Sequence, residues 1–146
     1  MLKRLVWDNR LKTGFDVIDM QHRELINKIN KLIAVLEKGE DVEGVTLDEL
    51  FLFLAEYVDV HFRTEEMYMD QAHYPEVAEH KKVHKWFEEK VRELHARYLR
   101  EGKTAVFLEE VESFLIDWLK DHIMRTDKKL ARYLLDELKK RSRNNK

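Results

Sequence analysis

Histidine is the residue type that carries the chemistry of this chain, which contains seven histidines and no cysteine. Five of them lie on the apolar stripes of amphipathic segments: His22, His61, His80, His84 and His122. A lone histidine on such a face is usually satisfied by one hydrogen bond, but five together favour a metal site. Glu65 and Asp127 accompany them. Imidazole and carboxylate without thiolate suit iron, copper, manganese or zinc.

The spacing of these side chains brings several of them onto single helical faces. Two pairs stand four residues apart: His61 with Glu65, and His80 with His84. Residues four apart share a face of an α-helix and lie about 6 Å apart along its axis, so each pair can bind one centre. His122 and Asp127 are five residues apart, about 140° around a regular helix. That pair requires a distorted or terminating turn.

Two familiar metal motifs are absent from the sequence. It contains no H-E-x-x-H zinc protease pattern. No histidine stands three residues after a glutamate, as the ferritin-like di-iron pattern requires. We interpret His73 and His95 as structural or surface residues, because His73 precedes Pro75 in a loop and His95 lies roughly 16 Å along the axis from His84.

The first helix is predicted by apolar residues at steps of three and four over residues 22–36. Gly39 is its natural C-terminal stop. Residues 1–16 lack this periodicity and predict an irregular N-terminal arm, which we expect to pack on the helices through Trp7.

Capping and helix-breaking residues mark the ends of the next three helices. Thr46 is the expected N-cap of the second helix, with Glu49 at the third helical position as in a capping box. Pro75 ends that helix and suits the first turn of the third, which Gly102 closes. The fourth helix begins at about Thr104.

A further helical pattern follows the fourth helix and predicts a C-terminal extension over residues 128–146. Its end is a basic tail, which we interpret as a solvated helix terminus. Docking to acidic lipid, or to an unidentified protein partner, is the alternative. Short connections make neighbouring helices antiparallel, so we predict an all-α, up-down-up-down four-helix bundle.

The predicted bundle places all seven candidate ligands at one level. They stand at the start of the first and third helices and at the end of the second and fourth. In an antiparallel bundle these four termini lie at the same end. Unrelated core histidines would have no reason to converge in this way.

Composition limits the functional classes. The 146 residues suffice for one domain, 1–146, and the formal net charge of −2 disfavours a nucleic-acid binder. The longest apolar run, residues 50–55, is far shorter than a membrane span. No apolar stretch follows the first basic residues, so we expect no signal peptide and a cytoplasmic location.

The ordered motifs resemble those of the hemerythrin family, and in particular its bacterial single-domain members. The resemblance covers about residues 7–127. It rests on four segments in order: Gln21-His22, His61-Phe62-x-x-Glu65-Glu66, His80-x-x-x-His84 and Trp118-Leu119-x-x-His122-Ile123-x-x-x-Asp127. The chain continues further past Asp127 than the compact invertebrate oxygen carriers do.

The resemblance implies a non-haem di-iron centre, two iron ions bridged by oxo or hydroxo. His80, His84 and His122 would bind one iron, and His22 and His61 the other. Glu65 and Asp127 would bridge both ions. Among the polar neighbours, Glu66 and Asp19 are candidate hydrogen-bond partners of ligand imidazoles, with a solvated surface role as the alternative for Glu66.

The implied ligand count leaves one position open. Two six-coordinate irons offer twelve positions, of which these ligands and the oxygen bridge fill eleven. In the family the remaining position takes dioxygen, so we expect reversible oxygen binding for storage, transport or delivery, and no enzyme. The oxygen pocket would be lined by Leu119, Ile123, Phe62 and Trp118, although plain core packing is the simpler interpretation of Phe62 and Trp118. A di-iron enzyme or scavenger acting on peroxide or nitric oxide, or an oxygen or iron sensor, remains the alternative.

Overall fold

Helices account for all regular structure in the described part of the chain. The computed structural model describes residues 2–38 and 46–144. Three long helices come first: α1 (Asp16–Lys38), α2 (Leu47–Gln71) and α3 (Val77–Glu101). A fourth rod consists of five consecutive segments: α4 (Ala105–Val111), a π-helical segment (Glu112–Trp118), α5 (Leu119–His122), a second π-helical segment (Ile123–Asp127) and α6 (Lys128–Asn144). The prediction of an all-α four-helix bundle is confirmed.

The predicted helix boundaries agree with the structure to within a few residues. The Thr46 hydroxyl accepts a hydrogen bond from the Glu49 amide at 3.1 Å, which caps α2 as expected. Gly102 closes α3 with a positive φ of 75°, and its amide donates to the Tyr98 carbonyl. Pro75 lies in the turn between α2 and α3. Helix α3 begins at Val77, two residues after the predicted start. The predicted stop at Gly39 lies outside the described residues.

The N-terminal segment is tied to α1 by hydrogen bonds and by buried leucines. Leu5 exchanges two hydrogen bonds with the side chain of Asn30, at 3.1 and 2.8 Å. Leu5 and Leu11 are almost fully buried, whereas Trp7 is half-buried and lies under the guanidinium of Arg23. The arm therefore packs through its leucines as well as through Trp7.

Two apolar clusters divide the interior along the bundle. The larger one takes side chains from all four rods and from the arm, and includes Phe51, Leu54, Phe87 and Phe107. The smaller one lies past the predicted ligands at the other end and consists of Ile18, Met69, Tyr74, Leu130 and Leu134. Two of its members come from α6, so the C-terminal helix helps to cover the site. Among the described residues, no helix has the length and apolarity needed to cross a membrane.

Candidate metal centre

The seven predicted ligands meet between the two apolar clusters, and each is at most 4% exposed. They form two groups that share both carboxylates. One group contains Glu65, His80, His84, His122 and Asp127, and the other contains His22, His61, Glu65 and Asp127. Within each group, one ligand atom from every residue lies within 4.8 Å of the others. We call these seven residues the histidine–carboxylate cluster.

Glu65 connects α2 with α3 inside this cluster. Its Oε1 atom lies 3.3 Å from Nε2 of His61, one helical turn earlier, and 3.2 Å from Nε2 of His84 on α3. His80, one turn before His84, points to the other carboxylate, with Nε2 at 3.3 Å from Oδ1 of Asp127. The four-residue spacings therefore place both pairs on inward faces, as predicted.

The second π-helical segment brings Asp127 onto the same face as His122. A π-turn closes its hydrogen bond from residue i to i+5, so residues five apart align where an α-helix would separate them. His122 Nε2 lies 3.1 Å from Asp127 Oδ1. The other oxygen of Asp127, Oδ2, lies 2.8 Å from Nε2 of His22 on α1. The distorted turn that the spacing required is thus a π-turn.

Buried polar atoms without hydrogen-bond partners point into the cluster. They are Nε2 of His61, His80, His84 and His122, both carboxylate oxygens of Glu65 and Oδ1 of Asp127. Nδ1 of His22 also has no partner, but it is the other ring nitrogen of this residue, Nε2, that contacts Asp127. Buried polar groups in proteins nearly always have a partner, because an unpaired one costs free energy. Nitrogen and oxygen donors that converge in this way fit a metal cation.

Burial keeps the imidazoles in the form that binds metals. Desolvation, with a further contribution from His22, lowers the pKa of His61 well below its ordinary value. Desolvation together with His80 lowers the pKa of His84 to about 2. A neutral imidazole offers a lone pair to a cation, so neither residue must lose a proton on metal binding near neutral pH.

The two carboxyl groups respond to the same burial in opposite ways. Desolvation, and then the charge of Asp127, raise the pKa of Glu65 well above its ordinary value. Desolvation also acts to raise the pKa of Asp127, but His122 and the close approach of the His22 and His80 imidazoles outweigh it and lower that pKa. A cation between the two groups would stabilise both as carboxylates.

Comparison with known proteins identifies the family. Residues 13–134 match the Hemerythrin HHE cation binding domain. This chain belongs to the hemerythrin family. It is 36% identical over 128 residues to a bacteriohemerythrin of Stenotrophomonas maltophilia (strain R551-3), covering 87% of this chain and 79% of that protein. It is 30% identical to myohemerythrin-1 of Phascolopsis gouldii, covering 84% of this chain and 87% of the relative.

A solved hemerythrin shares the fold of this chain. The crystal structure of a hemerythrin mutant superposes with a TM-score of 0.76 at 23% sequence identity. The match covers 92% of this chain and 98% of the other. The helical bundle is therefore the hemerythrin bundle, and the histidine–carboxylate cluster lies within the part of the chain that matches the hemerythrin family.

Two of the cluster imidazoles in this hemerythrin fold are oriented by hydrogen bonds at Nδ1. His61 Nδ1 donates to Oε1 of Gln21 at 2.8 Å, and Gln21 donates in turn to the hydroxyl of Thr64. His84 Nδ1 donates to Oε2 of Glu66 at 3.0 Å, so the expected role of Glu66 as a partner is found. A proton on Nδ1 leaves the lone pair on Nε2, directed at the cluster.

Asp19 does not serve as such a partner. Its oxygens accept from the amide and hydroxyl of Thr13 and from the amide of Gly14, which fastens the arm to α1. The sequence motif contains Gln21 but predicts no role for it. Its contact crosses from α1 to α2, and local spacing carries no signal for a contact of that kind.

Aromatic rings stack on the cluster imidazoles. Phe62 lies parallel to His84 with ring centroids 3.8 Å apart, and Trp118 lies parallel to His122 at 4.9 Å. Leu119 and Ile123 flank His122 on the fourth rod and are buried in the larger apolar cluster. Phe62 and Trp118 therefore contact the site directly as well as packing in the core.

The remaining two histidines stay outside the cluster, as interpreted from the sequence. His73 is exposed in the turn after α2, with a positive φ of 52°. His95 stacks on Phe51 at 4.9 Å and pairs with Asp48, near the opposite end of the bundle.

We predict that His84→Ala loses most of the bound metal, because it removes an Nε2 donor directed at Glu65. The matched control is His73→Asn, which changes an exposed histidine and keeps a residue that tolerates positive φ. Elemental analysis of the purified variants, with circular dichroism to verify folding, measures the effect. A folded His84→Ala variant with the metal content of the parent would contradict this ligand assignment.

We also predict opposite effects from removing and adding one residue in the second π-helical segment. Deletion of Arg125, whose side chain is 81% exposed, places His122 and Asp127 four apart, so a regular α-turn keeps them on one face. Insertion of an alanine after Arg125 places them six apart and turns Asp127 away by about 100°. Metal analysis should show near-normal content for the deletion and a large loss for the insertion. Equal losses of metal from the two variants would show that the π-turn does not serve to align Asp127 with His122.

Proposed function

We propose that this chain is a di-iron protein that binds dioxygen reversibly, for storage, transport or delivery. One observation carries the proposal: two groups of buried donor atoms overlap in the same two carboxylates. Such an overlap favours two metal ions side by side over one. Histidine nitrogen and carboxylate oxygen, without thiolate, are donors that suit iron.

The chain's own residues divide unequally between the two proposed ions. His80, His84 and His122 would hold one iron, and His22 and His61 the other, with Glu65 and Asp127 between them. A pair of irons bridged by oxo or hydroxo, when bound, supplies the electrons for reversible combination with dioxygen. The group of His22 and His61 has one imidazole fewer, so an open position is expected on that side.

The apolar side chains around the cluster support reversible binding of dioxygen over its conversion into products that are released. Phe62, Leu119 and Ile123 are at most 1% exposed, and Trp118 covers one face of His122. Apolar side chains exclude water and the protons that water would deliver. We propose that these four residues line the oxygen pocket, and that residues 1–146 form one hemerythrin-like domain with 128–146 as its extension.

The relatives give independent support for this proposal. The bacterial and invertebrate proteins that match this chain are named bacteriohemerythrin and myohemerythrin. These names support the proposal that this chain, too, binds dioxygen and is not an enzyme. Action on peroxide or nitric oxide, or sensing, would use the same cluster and is separated from oxygen binding by experiment.

The decisive measurement is the absorption spectrum of the reduced protein before air, in air and after oxygen removal. We expect a colour that appears with oxygen, disappears when oxygen is removed and returns in repeated cycles, with two irons per chain. A colourless chain, or a chain with a single metal ion, would refute the proposal. Multiple turnovers of added peroxide, without reversible colour, would favour the enzyme instead.

We predict that Leu119→Ala keeps the iron but shortens the lifetime of the oxygen-induced colour, because it opens the apolar layer beside His122. Leu115→Ala is the matched control, since Leu115 is equally buried on the same rod and its loss also costs about 2–5 kcal/mol of stability. Spectra recorded over time at fixed oxygen compare the two. Equal lifetimes in both variants would remove Leu119 from the pocket.

A further inference from the structure

Two of the three tryptophans form a continuous aromatic path from the surface to the histidine–carboxylate cluster. Trp86 on α3 is 39% exposed. Its ring centroid lies 5.3 Å from that of Trp118, and Trp118 stacks on His122 at 4.9 Å with an interplanar angle of 10°. The third tryptophan, Trp7, lies on the arm under Arg23 and is not part of the path.

The inner end of the path packs against the core. Phe87, which is fully buried, stacks on Trp118 at 4.7 Å and 16°. At the outer end, Trp86 and Trp118 line a surface groove together with Glu79, Lys82 and Val83. A molecule in this groove would therefore contact a ring that leads to a cluster imidazole in two steps.

Electron transfer through protein becomes rapidly slower as the gaps between conjugated groups grow. Phe62 also stacks on a cluster imidazole, that of His84, but it is fully buried and does not connect the cluster with the surface. A second aromatic route exists from Tyr133 through Tyr74 to His80, but its inner step is 6.4 Å with rings at 70°. The tryptophan route has the shorter and better stacked inner step.

We propose that Trp86 and Trp118 conduct electrons from an outside donor to the metal held by His122. This inference rests on the proposed function, because the acceptor is the ferric iron pair. The donor is a one-electron reductant that contacts Trp86. Each transfer oxidises one donor molecule by one electron and reduces one ferric ion to ferrous, so two transfers restore the diferrous pair that combines with oxygen.

The absence of cysteine from the sequence permits a test with a single attached photoreductant. Lys82→Cys places a ruthenium polypyridyl label in the groove, four residues from Trp86 on the same face. Arg125→Cys places the same label beside His80, in a depression that Trp86 does not line. Both native side chains are highly exposed, at 77% and 81%. A flash with a sacrificial donor reduces the label of the iron-loaded, oxidised chain, and transient absorption follows the loss of the ferric bands.

Trp86→Leu, combined with each label, gives the decisive comparison. We expect a several-fold slower reduction from the label at position 82 and an unchanged rate from the label at position 125. An unchanged rate from position 82 would overturn the inference. Equal slowing from both positions would also overturn it, because the substitution would then act through the metal site itself.

The metal-free chain gives a second readout. In the chain without iron, the flash-oxidised label at position 82 should draw an electron from Trp86 and produce the transient absorption of an indole radical. That signal should fall in Trp86→Leu and persist in Trp7→Phe, and its persistence in Trp86→Leu would count against the path. Metal content is measured before any flash and tests the proposed function separately. A chain that binds no iron pair would refute both the di-iron function and the electron path, whereas a chain that binds iron but shows no effect of Trp86→Leu would refute the electron path alone.

Discussion

The structure depends on one constraint: two carboxyl groups and five imidazoles are buried together with too few hydrogen-bond partners. In an apolar interior such groups destabilise the fold unless a cation compensates them. Asp127 alone approaches imidazoles from three elements, those of His22, His80 and His122. The bundle is therefore arranged around the cluster, with apolar layers on both sides that fix its position.

Much of the fold and the site was predictable because helical spacing is a local property of sequence. The pairs at four residues on α2 and α3, the Thr46 cap and the Gly102 stop follow from local rules, and the structure contains them. Convergence of the seven residues followed from antiparallel topology alone. The family resemblance then turned a group of donors into a proposed pair of iron sites.

The parts that sequence did not supply depend on contacts between elements. The five-residue step between His122 and Asp127 indicated a distortion, but the spacing did not say that a π-turn inside a continuous helix would provide it. Gln21 on α1 hydrogen-bonds to His61 on the neighbouring helix α2. Asp19 stands three residues before His22, yet its carboxylate is already occupied by Thr13 and Gly14 of the arm, so proximity in sequence was misleading there.

Helix α6 covers the end of the bundle beyond the cluster. Leu130 and Leu134 close the end of the bundle beyond the ligands, and Tyr133 fastens this helix to the α2–α3 turn through the Ala72 carbonyl at 2.8 Å. The cluster therefore lies between two apolar layers, one of which α6 completes. Packed side chains open only in brief local fluctuations, so such a cover passes a small uncharged molecule more readily than a bulky or ionic one.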